Sequence, residues 1–195
     1  METLDVWDIQ LCHYGKKIID RRNLFIYQLN QIVGKVHEHL TGGKENLYIS
    51  YEPSNGEMDL EQAIKRNKER DIRMKSTSVG PHRDDICFMV KDLDIRKFGS
   101  QGQQRTAALS LKLSEIELVK KVIDDTPILL LDDVLSELDK NRQNYLLDSI
   151  RDIQTLITCT GLDDFVNHRF EINKILHVEQ GNVNENVRPQ TFQSV

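Results

Sequence analysis

Two short stretches carry residue types that could act on a phosphate. The first is Asp132-Asp133, placed directly after Pro127, Ile128, Leu129, Leu130 and Leu131. An unbroken apolar run without alternation is the pattern of a central parallel strand covered by helices on both faces. The carboxyl end of such a strand is where open α/β sheets bind ligands. The second stretch is Gly99-Ser-Gln-Gly-Gln-Gln104. Ser100 can cap a helix and Gln103, three residues on, can complete a capping box. Gly102 leaves the backbone open to close approach by another molecule. A helix N-terminus also offers free N–H groups and a partial positive charge, both suited to a phosphate.

Each stretch has an ordinary structural reading. A strand ending in Asp-Asp is common in α/β proteins, Ser136-Glu-Leu-Asp139 is a normal capping box for a following helix, and a Gly-Ser-Gln-Gly turn is weak by itself. Order and spacing raise the odds. GSQGQQ at 99–104 is similar to the ABC signature loop, ILLLDD at 128–133 to Walker B, and SELD at 136–139 to the D-loop. With GPHRDD at 80–85, these motifs resemble the RecF family of bacterial recombination-repair ATPases, relatives of the SMC proteins. The resemblance covers nearly the whole chain and corresponds to the later part of the family's sequence.

The resemblance implies a set of roles. Asp132 holds Mg²⁺ through water, and Asp133 is the catalytic base that orients the attacking water. Ser100, Gln101, Gly102 and Gln103 cover the γ-phosphate of ATP bound by a second subunit. Asp139 couples the two sites across the dimer. Asp133 stands where most ABC proteins have Glu, which suggests slow hydrolysis or altered geometry. The usual switch histidine after the next strand is not obvious; TLITCTG offers Thr158, Cys159 or Thr160 near its place, and Thr158 is taken as the candidate.

No G-x-x-x-x-G-K-[ST] occurs; Gly42-Gly-Lys-Glu45 has neither the spacing nor the hydroxyl. The expectation is therefore a C-terminal portion of a longer ATPase, inactive alone and a slow enzyme when complete. The resemblance further implies an ATP-dependent homodimer that binds DNA at single-strand/double-strand junctions and supports RecA loading with RecO and RecR. Two alternatives stay open: a piece of another SMC-like chromosome ATPase, or an interaction module that does not hydrolyse ATP.

Composition adds bounds. The chain has 195 residues and a net charge of −5, so any DNA contact must come from a local patch. Cys12, Cys87 and Cys159 are widely spaced with no CxxC, which reads as reduced thiols rather than a disulfide frame or zinc site. No apolar run reaches membrane-spanning length, and a cytoplasmic protein is expected.

The expected fold class is α/β: part of an ABC-type ATPase head, with parallel strands and flanking helices, plus a helical arm with a short strand. The arm spans 1–79, the lobe 80–180 and a flexible tail 181–195. Leu4, Trp7, Leu11, Tyr14, Ile18, Phe25, Leu29, Ile32 and Val36 alternate three- and four-residue steps, interrupted only at Arg22. They predict one helix over 2–40, about 55–60 Å long. Its partner helix is expected to lie outside the chain. LYISY at 47–51 is a short strand. Residues 57–75 form a polar helix ending in KRNKERDIRMK, read as a solvated face or, alternatively, as a phosphate contact with DNA. Residues 85–90 and 93–97 form a hairpin around Lys91-Asp92, and Arg83 is expected to pair with a carboxylate. A helix over 101–122 turns Ala108, Leu111, Ile116, Val119 and Val122 to the sheet. Further elements are a strand at 127–132, a helix at 139–150, a parallel strand at 155–160, a turn at 163–167 and an edge strand at 169–178.

Overall fold

The structure, a computed structural model, describes residues 2–160 and 172–186. It is mixed α/β with small parallel and antiparallel sheets. The chain divides between Asp125 and Thr126 into two compact units.

In the first unit α1 (Glu2–Thr41) is a single forty-residue helix. Its second half buries Ile26, Leu29, Ile32, Val33, Val36 and Leu40 at three- and four-residue spacing. Strand β1 (Leu47–Glu52) follows, then α2 (Leu60–Met74), β2 (Asp85–Val90), β3 (Leu93–Asp94), the short α3 (Ile95–Phe98) and α4 (Gln101–Ile123). Strand β1 pairs antiparallel with β2 from Leu47↔Val90 to Glu52↔Asp85, and β2 pairs with β3. That pairing joins a strand of the expected arm to one of the expected lobe. Helix α2 is capped by Asp59, which accepts from the Glu61 N–H. Its Leu60, Ala63 and Ile64 pack with Val79 against Leu11, Cys12 and Ile19 of α1.

Several expectations change here. The second half of α1 packs against α4, so that half has a partner within the chain, while Leu4, Trp7, Tyr14 and Ile18 of the first-half seam are exposed. The face α4 buries is Thr106, Ala107, Leu109, Ser110, Leu113, Ser114 and Leu118, while Ala108 and Val122 of the expected face are exposed. Small residues let the helices approach. Their hydroxyls are satisfied one turn back: Thr106 donates to Gly102 O, Ser110 to Thr106 O and Ser114 to Ser110 O, at 2.6–2.7 Å. The hairpin's second strand stops at Asp94, because Asp94 accepts from the Arg96 N–H and starts a helical turn. Arg83 bonds Ser76 Oγ and Thr77 O rather than a carboxylate. Arg22, the break in the α1 seam, donates to Pro81 O at 2.5 Å. Asp84 accepts from Tyr51 OH and from the Ser54 N–H and hydroxyl. Thus the GPHRDD segment is pinned from α1 and β1.

In the second unit β4 (Leu129–Asp132) and β5 (Thr155–Thr158) pair in parallel, Leu129↔Thr155 through Asp132↔Thr158. Between them lie a 3₁₀ turn (Leu135–Glu137) and α5 (Lys140–Ser149). Leu135, Leu146, Leu147, Ile150 and Ile153 form the core. The expected double-sided burial of β4 is not found among the described residues. Leu130 is 72% exposed, since only two strands pair there. Asp139 caps α5 by accepting from the Arg142 N–H, whereas the Ser136 hydroxyl turns back to Asp133 O; Ser136 does not close a capping box. Strands β6 (Ile175–Glu179) and β7 (Asn182–Asn186) form a hairpin. Gln180 and Gly181 both take positive φ, 47° and 80°, the backbone of a two-residue hairpin turn. Residues 182–186, expected in a flexible tail, are thus a strand; of the expected strand 169–178, residues 169–171 lie outside the described residues, 172–174 are not strand, and the strand begins at Ile175. The expected turn at 163–167 lies outside the described residues. Among the described residues no helix is long and apolar enough to cross a membrane.

Candidate phosphate and magnesium site

The signature-like residues stand at the start of α4. Ser100 is its N-cap. The Ser100 Oγ accepts from the Gln103 N–H at 3.3 Å, and the Ser100 N–H donates to Gln103 Oε1 at 3.0 Å. This is the capping box expected from the sequence. The N–H groups of Gln101 and Gly102 meet no acceptor among the described residues, as the first turn of a helix leaves them.

The two glycines of the loop have different reasons. A Cβ on Gly99 would lie 2.5 Å from Ile95 O and 2.8 Å from Ile95 Cβ, so the fold itself requires glycine there. A Cβ on Gly102 would meet only Ser100 Oγ, at 4.0 Å. Among the described residues nothing requires a glycine at 102.

The loop is held from behind. The Gln104 amide donates to Ile95 O and Arg96 O, both at 3.1 Å. The Gln103 amide donates to Glu45 Oε1 at 2.8 Å; Glu45 Oε2 lies 3.4 Å from His37 Nε2, and His37 Nδ1 is 2.9 Å from Ser110 Oγ. His37 and Ser110 are fully buried. A polar chain therefore runs from the capping box into the α1–α4 interface. Sequence reasoning missed it. Its one visible sign was Glu45, in the Gly-Gly-Lys-Glu string compared with a phosphate loop.

Arg96, on the turn before the loop, meets Asp85 at 2.6 Å, Glu52 at 2.9 Å and Asp94 at 3.3 Å. The Arg96 hydrogen bond holds the Asp94 carboxyl well below the usual carboxylate range, against an opposing contribution from burial. A depressed carboxylate stabilises the fold above its unfolded pKa, about 3.9, and that stability is lost as pH falls through the lower folded value. Arg96→Met is therefore expected to lower the melting temperature by a constant amount from neutral pH to about pH 5, with the difference shrinking below about pH 4. Melting curves of both proteins across that range check it; a gap that widens in acid would contradict the pairing.

The acids occupy the other compact unit. Asp132 ends β4 directly opposite Thr158, the last residue of β5. The Thr158 hydroxyl donates to Asp132 Oδ1 at 2.5 Å and accepts from the Asp133 N–H at 3.0 Å. Parallel register thus gathers Asp132, Asp133 and Thr158 at one sheet end, with both carboxylates exposed. Asp133 has φ +49°, a left-handed backbone that Asp and Asn tolerate better than longer side chains. That is a physical reason for Asp where Glu would otherwise be expected. Among the described residues no group of three or more His, Cys, Asp or Glu could hold a metal. One carboxylate beside a hydroxyl does suit Mg²⁺, which takes one or two carboxylates with water and substrate phosphates for the rest. Asp139 also pairs with the Arg142 guanidinium at 2.6 Å, so its carboxylate serves α5 directly. Ser100, Gln101, Gly102 and Gln103 form one group and Asp132, Asp133 and Thr158 a second, with Asp139 in the second unit.

No family model matches the chain. It is 58% identical over 187 residues to the DNA replication and repair protein RecF of Lachnospira eligens, covering 95% of this chain and 52% of that protein. To RecF of Agathobacter rectalis it is 56% identical over 183 residues, covering 94% and 51%; to RecF of Clostridium perfringens, 41% over 187 residues, covering 93% and 52%. Two solved structures of the recombination mediator protein RecF of the RecFOR pathway, one described as RecF-ATPrS and one as RecF-ATP, superpose with TM-scores of 0.78 and 0.79 at 34% identity. They cover 94% and 95% of this chain and 50% and 51% of theirs. The chain spans about half the length of the relatives it matches.

Proposed function

The chain belongs to the RecF family of DNA replication and repair proteins, and on that premise we propose that it supplies two half-sites of an ATP-driven, dimerising DNA-repair ATPase head. One is the α4 N-terminus, which covers the γ-phosphate of ATP held by a second subunit. The other is the β4–β5 end, where Asp132 would hold Mg²⁺, Asp133 would orient the attacking water and Thr158 aligns the pair. Asp139 stands in the loop that would couple the two sites. Magnesium supplies charge neutralisation on the β- and γ-phosphates; the chain supplies orientation and hydrogen bonds. The complete protein would act at single-strand/double-strand DNA junctions with RecO and RecR, in support of RecA loading. Identity to RecF favours this over a tethering SMC-type ATPase, and the absence of a phosphate loop in the chain assigns that cradle to another part of the assembly.

The observation that carries the reading is Gly102. The fold leaves space for a side chain there, yet the position is glycine, beside two free N–H groups at a helix start. Close approach by another molecule explains this and intramolecular packing does not. Gly102→Ala is expected to stabilise the chain by about 0.5–1 kcal/mol through helix preference. The same change should weaken ATP-dependent dimerisation of a full-length RecF carrying these residues. Melting curves and sedimentation with ATP test it. A variant more stable and equally dimeric would mean that nothing approaches Gly102.

A further inference from the structure

The outward face of α2 carries a separate feature. Residues 65–75 hold six cations against two acids, in a chain whose net charge is −5. Side-chain geometry sorts these charges. Lys68 turns to Asp5 and Asp8 of α1, and Lys65 pairs with Glu61. Asp71 turns inward and accepts from the Ser78 N–H at 3.0 Å, which removes one of the acids that would neutralise the face. Lys75 is the C-cap, beyond the last helical residue; on the helix itself Arg66, Arg70 and Arg73 remain. All three are exposed, and no carboxylate among the described residues pairs with them; Arg66 has only Met58 Sδ at 3.6 Å. Their i, i+4, i+7 spacing aligns them in one stripe about 10 Å long. Glu69 adjoins the stripe. The helix beneath is rigidly held, capped by Asp59 and packed through Leu60, Ala63 and Ile64.

We propose that Arg66, Arg70 and Arg73 form a docking stripe for the sugar-phosphate backbone of duplex DNA. This rests on the DNA-binding reading above and assigns it a place. Planar, permanently charged guanidiniums suit phosphate oxygens, and the stripe's length spans two to three phosphates of one strand with side chains extended. No aromatic side chain lies within α2 to stack on bases, so the stripe reads backbone and not sequence, and a duplex rather than splayed single strands.

The test is fluorescence anisotropy of the chain with a labelled duplex of about 30 base pairs across a salt series. Log affinity falls against log salt by roughly 0.9 per neutralised phosphate, so Arg66→Ala/Arg70→Ala/Arg73→Ala is expected to weaken binding and flatten the slope by roughly 1.8–2.7, for two to three phosphates. Glu69→Gln should tighten binding. The three-Lys variant should keep most of the slope, since charge is retained. Melting curves establish that each variant folds, and the tightening by Glu69→Gln remains a test even if the triple variant does not. A triple variant that binds duplex as the parent does overturns the stripe and leaves the RecF reading in place, as does a loss confined to single strands. A parent chain and full-length protein that both ignore DNA would overturn both.

Discussion

Asp133→Asn, placed in a full-length RecF carrying these residues, is expected to bind ATP and dimerise but to stop hydrolysing it. Asp133 sits at φ +49° immediately after β4, a conformation that Asn adopts as readily as Asp, so fold and loop should persist. Of Asp133, the Thr158 hydroxyl contacts only the backbone N–H, and that contact is kept. What the amide loses is the ability to accept a proton from the attacking water, and positioned acid–base groups contribute about 10²–10⁴-fold. A fall in turnover of that size, with nucleotide affinity unchanged, should leave the dimer trapped. Asp132→Asn should behave differently. It removes the carboxylate that accepts the Thr158 hydroxyl and would hold magnesium, so binding itself should become weaker and less dependent on the metal. Single-turnover hydrolysis and nucleotide titrations with and without Mg²⁺ separate the two. Normal hydrolysis by Asp133→Asn would place the base elsewhere.

Ser100→Arg should bind nucleotide normally yet fail to dimerise or hydrolyse. Ser100 is exposed at the α4 N-terminus, and its contacts are the reciprocal bonds with Gln103. Within the chain the substitution removes a cap, about 1 kcal/mol, while the Gln103–Glu45 bond and the buried His37–Ser110 contact remain. The large effect arises outside the chain, where a long side chain would stand between two closing heads. Sedimentation with ATP, nucleotide binding and a melting curve together test this. Wild-type dimerisation would reduce Ser100 to a helix cap, and failure to fold would mean that the residue is not the exposed cap described above.

The elements nearest the chemistry were legible in the sequence because their signals are local. Ser100 and Gln103 read as a capping box, the apolar run before Asp132 as a strand, and the regular steps from Leu4 to Val36 as one helix. The buried face of α4 was not legible, because Thr106, Ser110 and Ser114 bury their hydroxyls against backbone one turn back and, with Ala107, carry no hydrophobic period. For the same reason α1 seemed to lack a partner. Strand β7 was hidden by its polar composition; its pairing depends on the Gln180-Gly181 backbone rather than on apolar side chains. The contact between Asp132 and Thr158 depends on parallel register, which spacing along the chain does not encode. The Arg66–Arg70–Arg73 stripe emerged only when the structure showed where Lys65, Lys68 and Asp71 point.

The central claim is that the α4 N-terminus serves a nucleotide bound by another subunit. The most direct measurement mixes two inactive full-length proteins, one carrying Ser100→Arg and the other Asp132→Asn, and follows ATP hydrolysis. In the mixed dimer, Ser100 of the Asp132→Asn copy faces the intact acids of the Ser100→Arg copy, while the introduced arginine faces a site that no longer holds magnesium-nucleotide. Action across subunits predicts that the mixture recovers hydrolysis that neither protein shows alone. If Ser100 and Asp132 instead serve one site within a single chain, every site in the mixture is broken, and activity no higher than the sum of the separate proteins would contradict the account.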